Sequence, residues 1–353
     1  MSERLISYAA AVNEGLMQAM TRDPKVLCYG LGVTDPKHVF STTRDLEAKF
    51  GSDRVFDIPC SENAITGIGV GAALRGFKSV ITHQRLDFSL LSMDQIVNSA
   101  AKWHYMFGSQ LSVPITIRMI LGRGWGQGPT HSQNLQAWFA HTPGLKVVCP
   151  SNASDAKGLL LASIFDPNPV IFLEHRWLHN SIADVDPNYY QMDIGGSKLV
   201  TLGKDITLVT NSYMVPECID AVRFLESEYS ISCDLIDMYS IRPLDRNMVI
   251  NSAKKTGRLL CVDTASKSFS VSSEIISSVA ENLSVSSSVY MQKLGLPDMP
   301  EPTSYALTKH FHLNADDVVV KVLTMCGVAK KDSPRIRNPA HHDVPGDWFR
   351  GPF

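Results

Sequence analysis

Apolar positions along the chain come in short runs and stripes that alternate between two periods. Residues 4–20 follow a helical stripe, with Leu5, Ala9, Val12, Leu16 and Met20 on one face. Val26 to Tyr29 is a short apolar run suited to a buried parallel strand. The spacing then predicts a helix over 44–50, a strand over 79–82, a helix over 93–107 and a strand over 114–119. Strands follow at 146–149 and 170–173, with a helix over 153–165 between them. A polar stretch without strong period covers about 176–200. The alternation restarts with strands at 206–210, 233–238, 258–262 and 288–291, and helices at 215–227, 246–255 and 271–283. Asn314 is placed to cap a last helix, with Asp316 and Asp317 in its first turn. Strands alternating with helices predict an α/β protein of two doubly wound domains with mostly parallel sheets. The first domain spans 1–185, a linker 186–200, the second domain 201–328 and a tail 329–353. The tail holds four prolines and two adjacent histidines, and ends on Trp348-Phe349-Arg350-Gly351-Pro352-Phe353. So aromatic an ending is expected to pack on a surface or a partner.

One stretch stands out. Phe56-Asp57-Ile58-Pro59-Cys60-Ser61-Glu62-Asn63 reads as a short strand ending at Pro59, then a helix capped by Ser61. Gly67, Gly69 and Gly71 would weaken an isolated helix. They fit a buried helix with another backbone close against it. Glu62 then lies in the first turn. It is either an ordinary acid that favours the helix dipole or a buried carboxylate in need of a partner. Further on, His131 closes a glycine-rich loop that starts at Gly122. A loop histidine can serve as acid, base or carboxylate binder, or cap the helix that follows. Glycines 122, 124, 126 and 128 fit a mobile loop over a site, and the GxxxxGK[ST] order of a phosphate loop is absent. His141 is read as structural.

Composition narrows the class. At 353 residues the chain is long enough for two cores. Hydrophobic residues at 44% and charged residues at 19% give an ordinary globular balance. The formal net charge of -2 argues against nucleic acid or an anionic membrane as main partner. Seven cysteines without a CxxC pair argue against metal clusters and disulfide frameworks, so a reducing cytoplasm is expected. No apolar run is long enough for a membrane span, and no signal peptide is expected at the start.

Four blocks, in order, carry a resemblance: DIPCSENAITGIGVGAALRG, DQIVNSAAKWHYMFG, THSQNLQAWFAHTPGLKVVCPSNASDAKGLL and YSIRPLD. From about residue 4 to about 326 the chain resembles the β subunit of the decarboxylating component of 2-oxo acid dehydrogenases. These are transketolase-like thiamine diphosphate enzymes. The resemblance implies a transketolase pyrimidine-binding domain followed by a transketolase C-terminal domain. It implies that Glu62 faces the cofactor's aminopyrimidine, a task that needs one carboxylic acid in a dry place. It puts Phe88 against the pyrimidine, with Gln84 in the same cofactor-binding set. On residues alone, Phe88 is equally a core aromatic at a strand–helix junction. His131, in the "HSQ" motif, would face the reacting end and share the substrate pocket with His83 and Arg85. A monovalent cation such as K+ would bind backbone carbonyls of Ile115, Ser163, Asp166 and Asn168. An ordinary turn at Asp166-Pro167-Asn168-Pro169 explains those residues as well.

No Gly-Asp-Gly occurs in the chain. In the family that turn precedes the ligands of Mg2+ on the cofactor diphosphate. The resemblance therefore implies a separate α subunit, an α2β2 assembly with sites at the α–β interface, and in some members a lipoyl acyltransferase. The expected reaction is decarboxylation of a small 2-oxo acid, with transfer of the acyl or aldehyde unit.

The chain departs from the family pattern at three places. Gly30-Leu31-Gly32 stands where Gly-Glu-Glu is usual, and His83-Gln84-Arg85-Leu86 where the strand end is apolar. Val262-Asp263-Thr264-Ala265-Ser266 replaces a surface that some relatives use to bind their acyltransferase. Arg85 suits a carboxylate or phosphate if it points inward, and would pair with Asp87 or Asp94 if it points outward. Two rivals follow. One is a carboligase or transketolase-like enzyme acting on an aldehyde or sugar. The other is a catalytically silent scaffold subunit, favoured by Leu31 and Gln84 and disfavoured by the Glu62, Phe88 and His131 set.

Overall fold

The structure is a computed structural model that describes residues 4–124, 126–284, 287–330, 336–337 and 341–351. Met1, Ser2 and Glu3, Trp125 of the glycine-rich loop, and Pro352 and Phe353 of the aromatic ending lie outside the described residues. The first half of the chain runs β1 (Leu5–Ser7), α1 (Tyr8–Arg22), β2 (Val26–Gly30), α2 (Leu46–Phe50), β3 (Val55–Asp57), α3 (Glu62–Leu74), β4 (Lys78–His83) and α4 (Leu86–Ser89). It continues through α5 (Ala101–Met106), β5 (Ile115–Leu121), α6 (Gln136–His141), β6 (Lys146–Val148), α7 (Ala153–Phe165), β7 (Val170–His175) and β8 (Ile182–Asp184). The second half runs β9 (Lys198–Thr201), β10 (Ile206–Thr210), α8 (Met214–Tyr229), β11 (Cys233–Asp237), β12 (Ser240–Arg242), α9 (Arg246–Thr256), β13 (Arg258–Ser266), α10 (Val271–Glu281), β14 (Tyr290–Leu296) and α11 (Ala315–Cys326).

The strands form a seven-stranded sheet, ordered β12-β6-β7-β5-β4-β2-β3, and a five-stranded sheet, ordered β14-β13-β10-β11-β9. Both are parallel except at one edge, where β12 and β9 run antiparallel to their neighbours. Strand β12 lies in the second half of the sequence but completes the first sheet. Each sheet is apolar on both faces, as parallel sheets covered by helices must be. Along β4, Val80 joins one core and Ile81 the other; along β10, Leu208 and Val209 divide in the same way. Each core runs through both halves of the chain. No described helix is long and apolar enough to cross a membrane.

Several boundaries differ from the pattern-based expectation. The stripe from residue 4 is not one helix: Leu5–Ser7 pair antiparallel with Ile182–Asp184, and the Ser7 hydroxyl caps α1 through the Ala10 N–H. Leu5 is accordingly exposed rather than on the core stripe. The helix expected at 44–50 starts at Leu46, because Asp45 adopts φ +60°. The one expected at 93–107 is a π-helical turn, Gln95–Ala100, running into α5. Ser61 stands before α3 but its side chain makes no capping hydrogen bond. The stretch read as a linker ends in β9. At Asn314 the expected cap is present as a full capping box with Asp317.

The glycines of α3 do not receive another backbone. A Cβ on Gly69 would lie 2.7 Å from Tyr29 Oη, 2.9 Å from Ile81 Cδ1 and 3.1 Å from Ile115 Cδ1, so side chains of β2, β4 and β5 press on it. Gly71 has nothing within 4 Å and faces outward. The helix is buried on one side only, with Ile68 62% exposed on the other. The same substitution should therefore have opposite signs two residues apart. Gly69→Ala overpacks and is expected to cost about 1–3 kcal/mol. Gly71→Ala should gain up to about 1 kcal/mol of helix propensity. Urea unfolding of the isolated chain measures both; equal effects would show that α3 does not seat on Gly69.

Candidate active site

The strands of the first sheet end on a common edge, and the side chains singled out in the sequence emerge there. Glu62 is the first residue of α3, after β3. It is only 9% exposed, and no described residue hydrogen-bonds or pairs with its carboxylate. Asp57, at the end of β3, braces the turn: its carboxylate accepts from the N–H of Gly32 at 2.7 Å and of Ile58 at 2.9 Å.

After β4 come His83, Gln84, Arg85 and Phe88. His83 is buried, and its Nε2 has no partner among the described residues. Burial pushes its pKa down to about 4, so the ring is neutral at physiological pH. Gln84 lies against the bend after β2; a Cβ on Gly32 would fall 2.0 Å from its Nε2. Arg85 points inward. It is 3% exposed, donates from Nη1 to the Gly122 carbonyl at 3.1 Å, and forms no ion pair with Asp87 or Asp94. Asp87 accepts instead from Gln133, and Asp94 from Gln95 and Asn98. Burial lowers the Arg85 pKa to about 10, against the pull of Asp87 and Glu301. The Phe88 ring meets the His131 ring edge-on, centroids 5.4 Å apart at 90°. The His131 side chain is exposed, with Nδ1 3.1 Å from the Thr130 hydroxyl.

The glycine-rich loop after β5 is pinned rather than loose. Its ends are joined by Gly122 N–H donating to the Gln133 carbonyl. Gly122 takes φ +76°, and His175 Nε2 sits where a Cβ would be. Trp177 Nε1 donates to the Gly124 carbonyl at 3.1 Å, and a Cβ on Gly128 would be 2.0 Å from Thr303 Oγ1. Below this edge, Arg118 of β5 and Glu174 of β7 form a bidentate pair at 2.7 and 3.0 Å, with both side chains fully buried. Burial works against the Glu174 carboxylate, yet Arg118 and His179 outweigh it and hold the acid below its ordinary range.

Pattern reading missed this pair and the Arg85–Gly122 link. Each member of the pair is the single mid-strand charge in an otherwise apolar run, ITIRMIL and VIFLEH, and that is a usable signal. Two cross-domain contacts were also missed. Gln136 Nε2 donates to Asp263 at 2.7 Å and to Thr264 at 3.1 Å.

The expected cation residues lie elsewhere. Ile115 opens β5, and Asp166 and Asn168 precede β7, so this group is at the opposite edge of the sheet from Glu62. The Ser163 carbonyl accepts the Asp166 N–H, while the Asp166 carboxylate accepts the Asn168 N–H and pairs with Lys146. Among the described residues no group of three or more His, Cys, Asp or Glu is arranged to hold a metal.

With this geometry in place, similarity to known proteins becomes informative. Residues 4–180 match the family described as transketolase, pyrimidine binding domain, and residues 195–318 match the transketolase C-terminal domain. The tail lies beyond both. The chain is 37% identical to the β-1 subunit of the mitochondrial pyruvate dehydrogenase E1 component of Oryza sativa, over 90% of this chain and 85% of that one. It is 35% identical to the β subunit of 2-oxoisovalerate dehydrogenase of Bacillus subtilis, over 89% and 96%. It is 37% identical to the β subunit of an acetoin:2,6-dichlorophenolindophenol oxidoreductase of Cupriavidus necator, over 86% and 92%. A solved split-gene transketolase, titled an inactive β4 tetramer, shares the fold, with a TM-score of 0.74 at 21% identity over 92% of this chain and 100% of that one. The chain thus belongs to the E1 β-subunit family of 2-oxo acid dehydrogenases, thiamine diphosphate-dependent proteins of transketolase fold that work with an α subunit.

Proposed function

We propose that this chain supplies the aminopyrimidine half of a thiamine diphosphate site, in an enzyme that decarboxylates a 2-oxo acid and passes on the acyl or aldehyde unit. The observation that carries this is Glu62: a carboxylate 9% exposed, at the head of a helix, with no partner among the described residues. A carboxylate so placed is left open to a donor from outside the chain. A ring nitrogen of the aminopyrimidine is such a partner. Bound there, the cofactor supplies the electron sink for decarboxylation. Glu62 holds the proton at the pyrimidine nitrogen. Phe88, fixed edge-on by His131, offers its face to the ring. His131, exposed beside it, is placed to bind or protonate the reacting end.

The diphosphate and its Mg2+ fall to the α subunit, since no Gly-Asp-Gly turn exists here. An α2β2 assembly fits the exposed apolar residues of neighbouring elements: Ile68 of α3, Leu91, and Tyr105 and Met106 of α5, between 57% and 88% exposed. A lipoyl domain of an acyltransferase is the acceptor in the main reading. K+ at the carbonyls of Ile115, Ser163, Asp166 and Asn168 would be structural, because that edge is remote from Glu62. The cytoplasm remains the proposed compartment, in keeping with cysteines that form no disulfide.

A second reading, carboligation onto a polar acceptor, is favoured by Arg85. Its guanidinium is buried and inward, and Nη2 has no hydrogen-bond partner among the described residues. An acceptor or substrate bearing a carboxylate or phosphate would satisfy it.

Three outcomes test these proposals. Glu62→Gln keeps the shape and removes the acidic proton, so turnover with the α partner should fall by about 10² or more while cofactor still binds. Near-normal turnover would remove Glu62 from its role. In calorimetry, the isolated chain should not reach a Kd of about 1 µM for thiamine diphosphate, and should do so once the α chain is added. Tight binding without a partner would defeat the half-site. In the reconstituted enzyme, Arg85→Ala should lower kcat/KM for anionic substrates or acceptors about 10–100-fold, and much less for pyruvate with a lipoyl domain. Efficient lipoyl acylation from pyruvate, unaffected by that change, would leave the main reading alone.

A further inference from the structure

Described residues of the tail touch both the second domain and the loop that carries His131, through charge as well as packing. Arg337 donates from Nε to Asp220 at 2.7 Å and pairs with Glu217, both on α8. The Ile336 N–H donates to Asp316 at the head of α11. His342 lies over Tyr305, ring centroids 3.9 Å apart, with Nε2 2.7 Å from the Tyr305 carbonyl. Those contacts fasten the tail to the second domain. The next residue, Asp343, reaches the first: its Oδ2 accepts from Arg123 Nη2 at 3.0 Å.

Arg123 is the second residue of the glycine-rich loop and is 1% exposed. Its Nη1 donates to Glu301 at 3.2 Å, to the Pro302 carbonyl at 2.9 Å and back to the Gln127 carbonyl of its own loop at 3.0 Å. The Glu301 and Asp343 side chains are 6% and 3% exposed. One buried cation thus joins two buried carboxylates from distant segments and cross-braces the loop internally. Buried charges of this kind are retained only when paired, and removing one partner is felt strongly. Further along the tail, the Phe349 ring lies under the Arg176 guanidinium, 5.2 Å from its centroid, just after β7.

We propose that Asp343 is a positioning residue, and that the tail is a strap holding the 122–131 loop, through Arg123, in the arrangement that sets His131 against Phe88. The assignment of His131 to the reacting end rests on the function proposed above; the strap itself does not. Without Asp343 the loop keeps Glu301 but loses its tie to the tail. Substrate would then have to order the loop on binding, which weakens binding in proportion to the ordered fraction.

The test uses hydrogen–deuterium exchange on the full chain, with Asp343→Ala, Asp343→Glu and Arg337→Ala. Asp343→Ala should raise exchange in peptides spanning 122–131 by about tenfold or more, with α8 and α11 unchanged. Arg337→Ala releases the tail without touching Arg123 and should give the same loop signature. Asp343→Glu should restore part of the protection. In the enzyme reconstituted with its α partner, Asp343→Ala should raise KM for the 2-oxo acid about fivefold and leave kcat and cofactor affinity within about twofold. Unchanged loop exchange in folded Asp343→Ala and Arg337→Ala would overturn the strap. A rise spread evenly over the chain would overturn it too, leaving the tail as a general stabiliser. If turnover cannot be reconstituted even for the unmodified chain, the failure lies with the proposed function, and the exchange result still decides the strap.

Discussion

The fully buried pair of Arg118 and Glu174 is the constraint on which the site edge depends. It joins β5 to β7 with two parallel hydrogen bonds, and Arg118 also reaches the Thr82 hydroxyl of β4 at 3.3 Å. Three adjacent strands are thereby held in one relative register, within one to three residues of the point where each ends. A pair of this kind adds little net stability, because the desolvation cost offsets much of the attraction. What it supplies is geometric. A one-residue slip of β5 against β7 would bury a lone charge, and a slip of β4 would lose the Thr82 bond, so the strand ends are fixed relative to each other. His83 to Phe88 leave from β4, the glycine-rich loop from β5, and His175 to Trp177 from β7.

From those fixed ends the loops are tied to one another rather than left to solvent. Arg85 holds the carbonyl of Gly122, His175 fills the space under the same glycine, and Trp177 holds the carbonyl of Gly124. Three basic or aromatic side chains from β4 and β7 thus bind the backbone of the β5 loop. Burial also keeps the imidazoles in this region neutral: His83 and His179 are both lowered to about 4, and His175 lies well below its ordinary value. An uncharged lining adds no further repulsion around Arg85 and Arg176. Arg176 is itself lowered to about 9, first by burial and then by Arg85. The positive charge at this edge therefore rests mainly on arginines, which stay ionised where histidines do not.

Much of the fold was readable from periodicity, because parallel strands and covering helices repeat locally. β10 and α7 fall on the expected residues at both ends. What escaped depends on contacts far apart in sequence. Leu5–Ser7 read as helix because their strand partner is near residue 183. β12 was unseen because three residues carry no period, and its place is set by β6. In the site, Glu62, Phe88 and His131 were legible through their motifs, and the structure brings Phe88 and His131 into ring contact. The direction of Arg85 was not legible, since a carbonyl 37 residues away decides it. Nor was the link between Arg123 and Asp343, 220 residues apart. No local pattern announces which buried carboxylate a buried arginine will find.

The contrast between Glu62 and Arg123 separates two uses of buried charge in one molecule. Arg123 meets two carboxylates and two carbonyls, one of them in its own loop, so its pairing is largely completed within the chain. Glu62 is 9% exposed against 1% for Arg123, and no described residue hydrogen-bonds or pairs with its carboxylate. One charge is satisfied inside the chain, and the other is open to a partner from outside it. Under the proposed function that asymmetry marks Glu62 as a site residue, where burial alone would not. The 122–131 loop is tied separately, through Arg85, Trp177 and Arg123, and under the proposed function those ties keep His131 against Phe88.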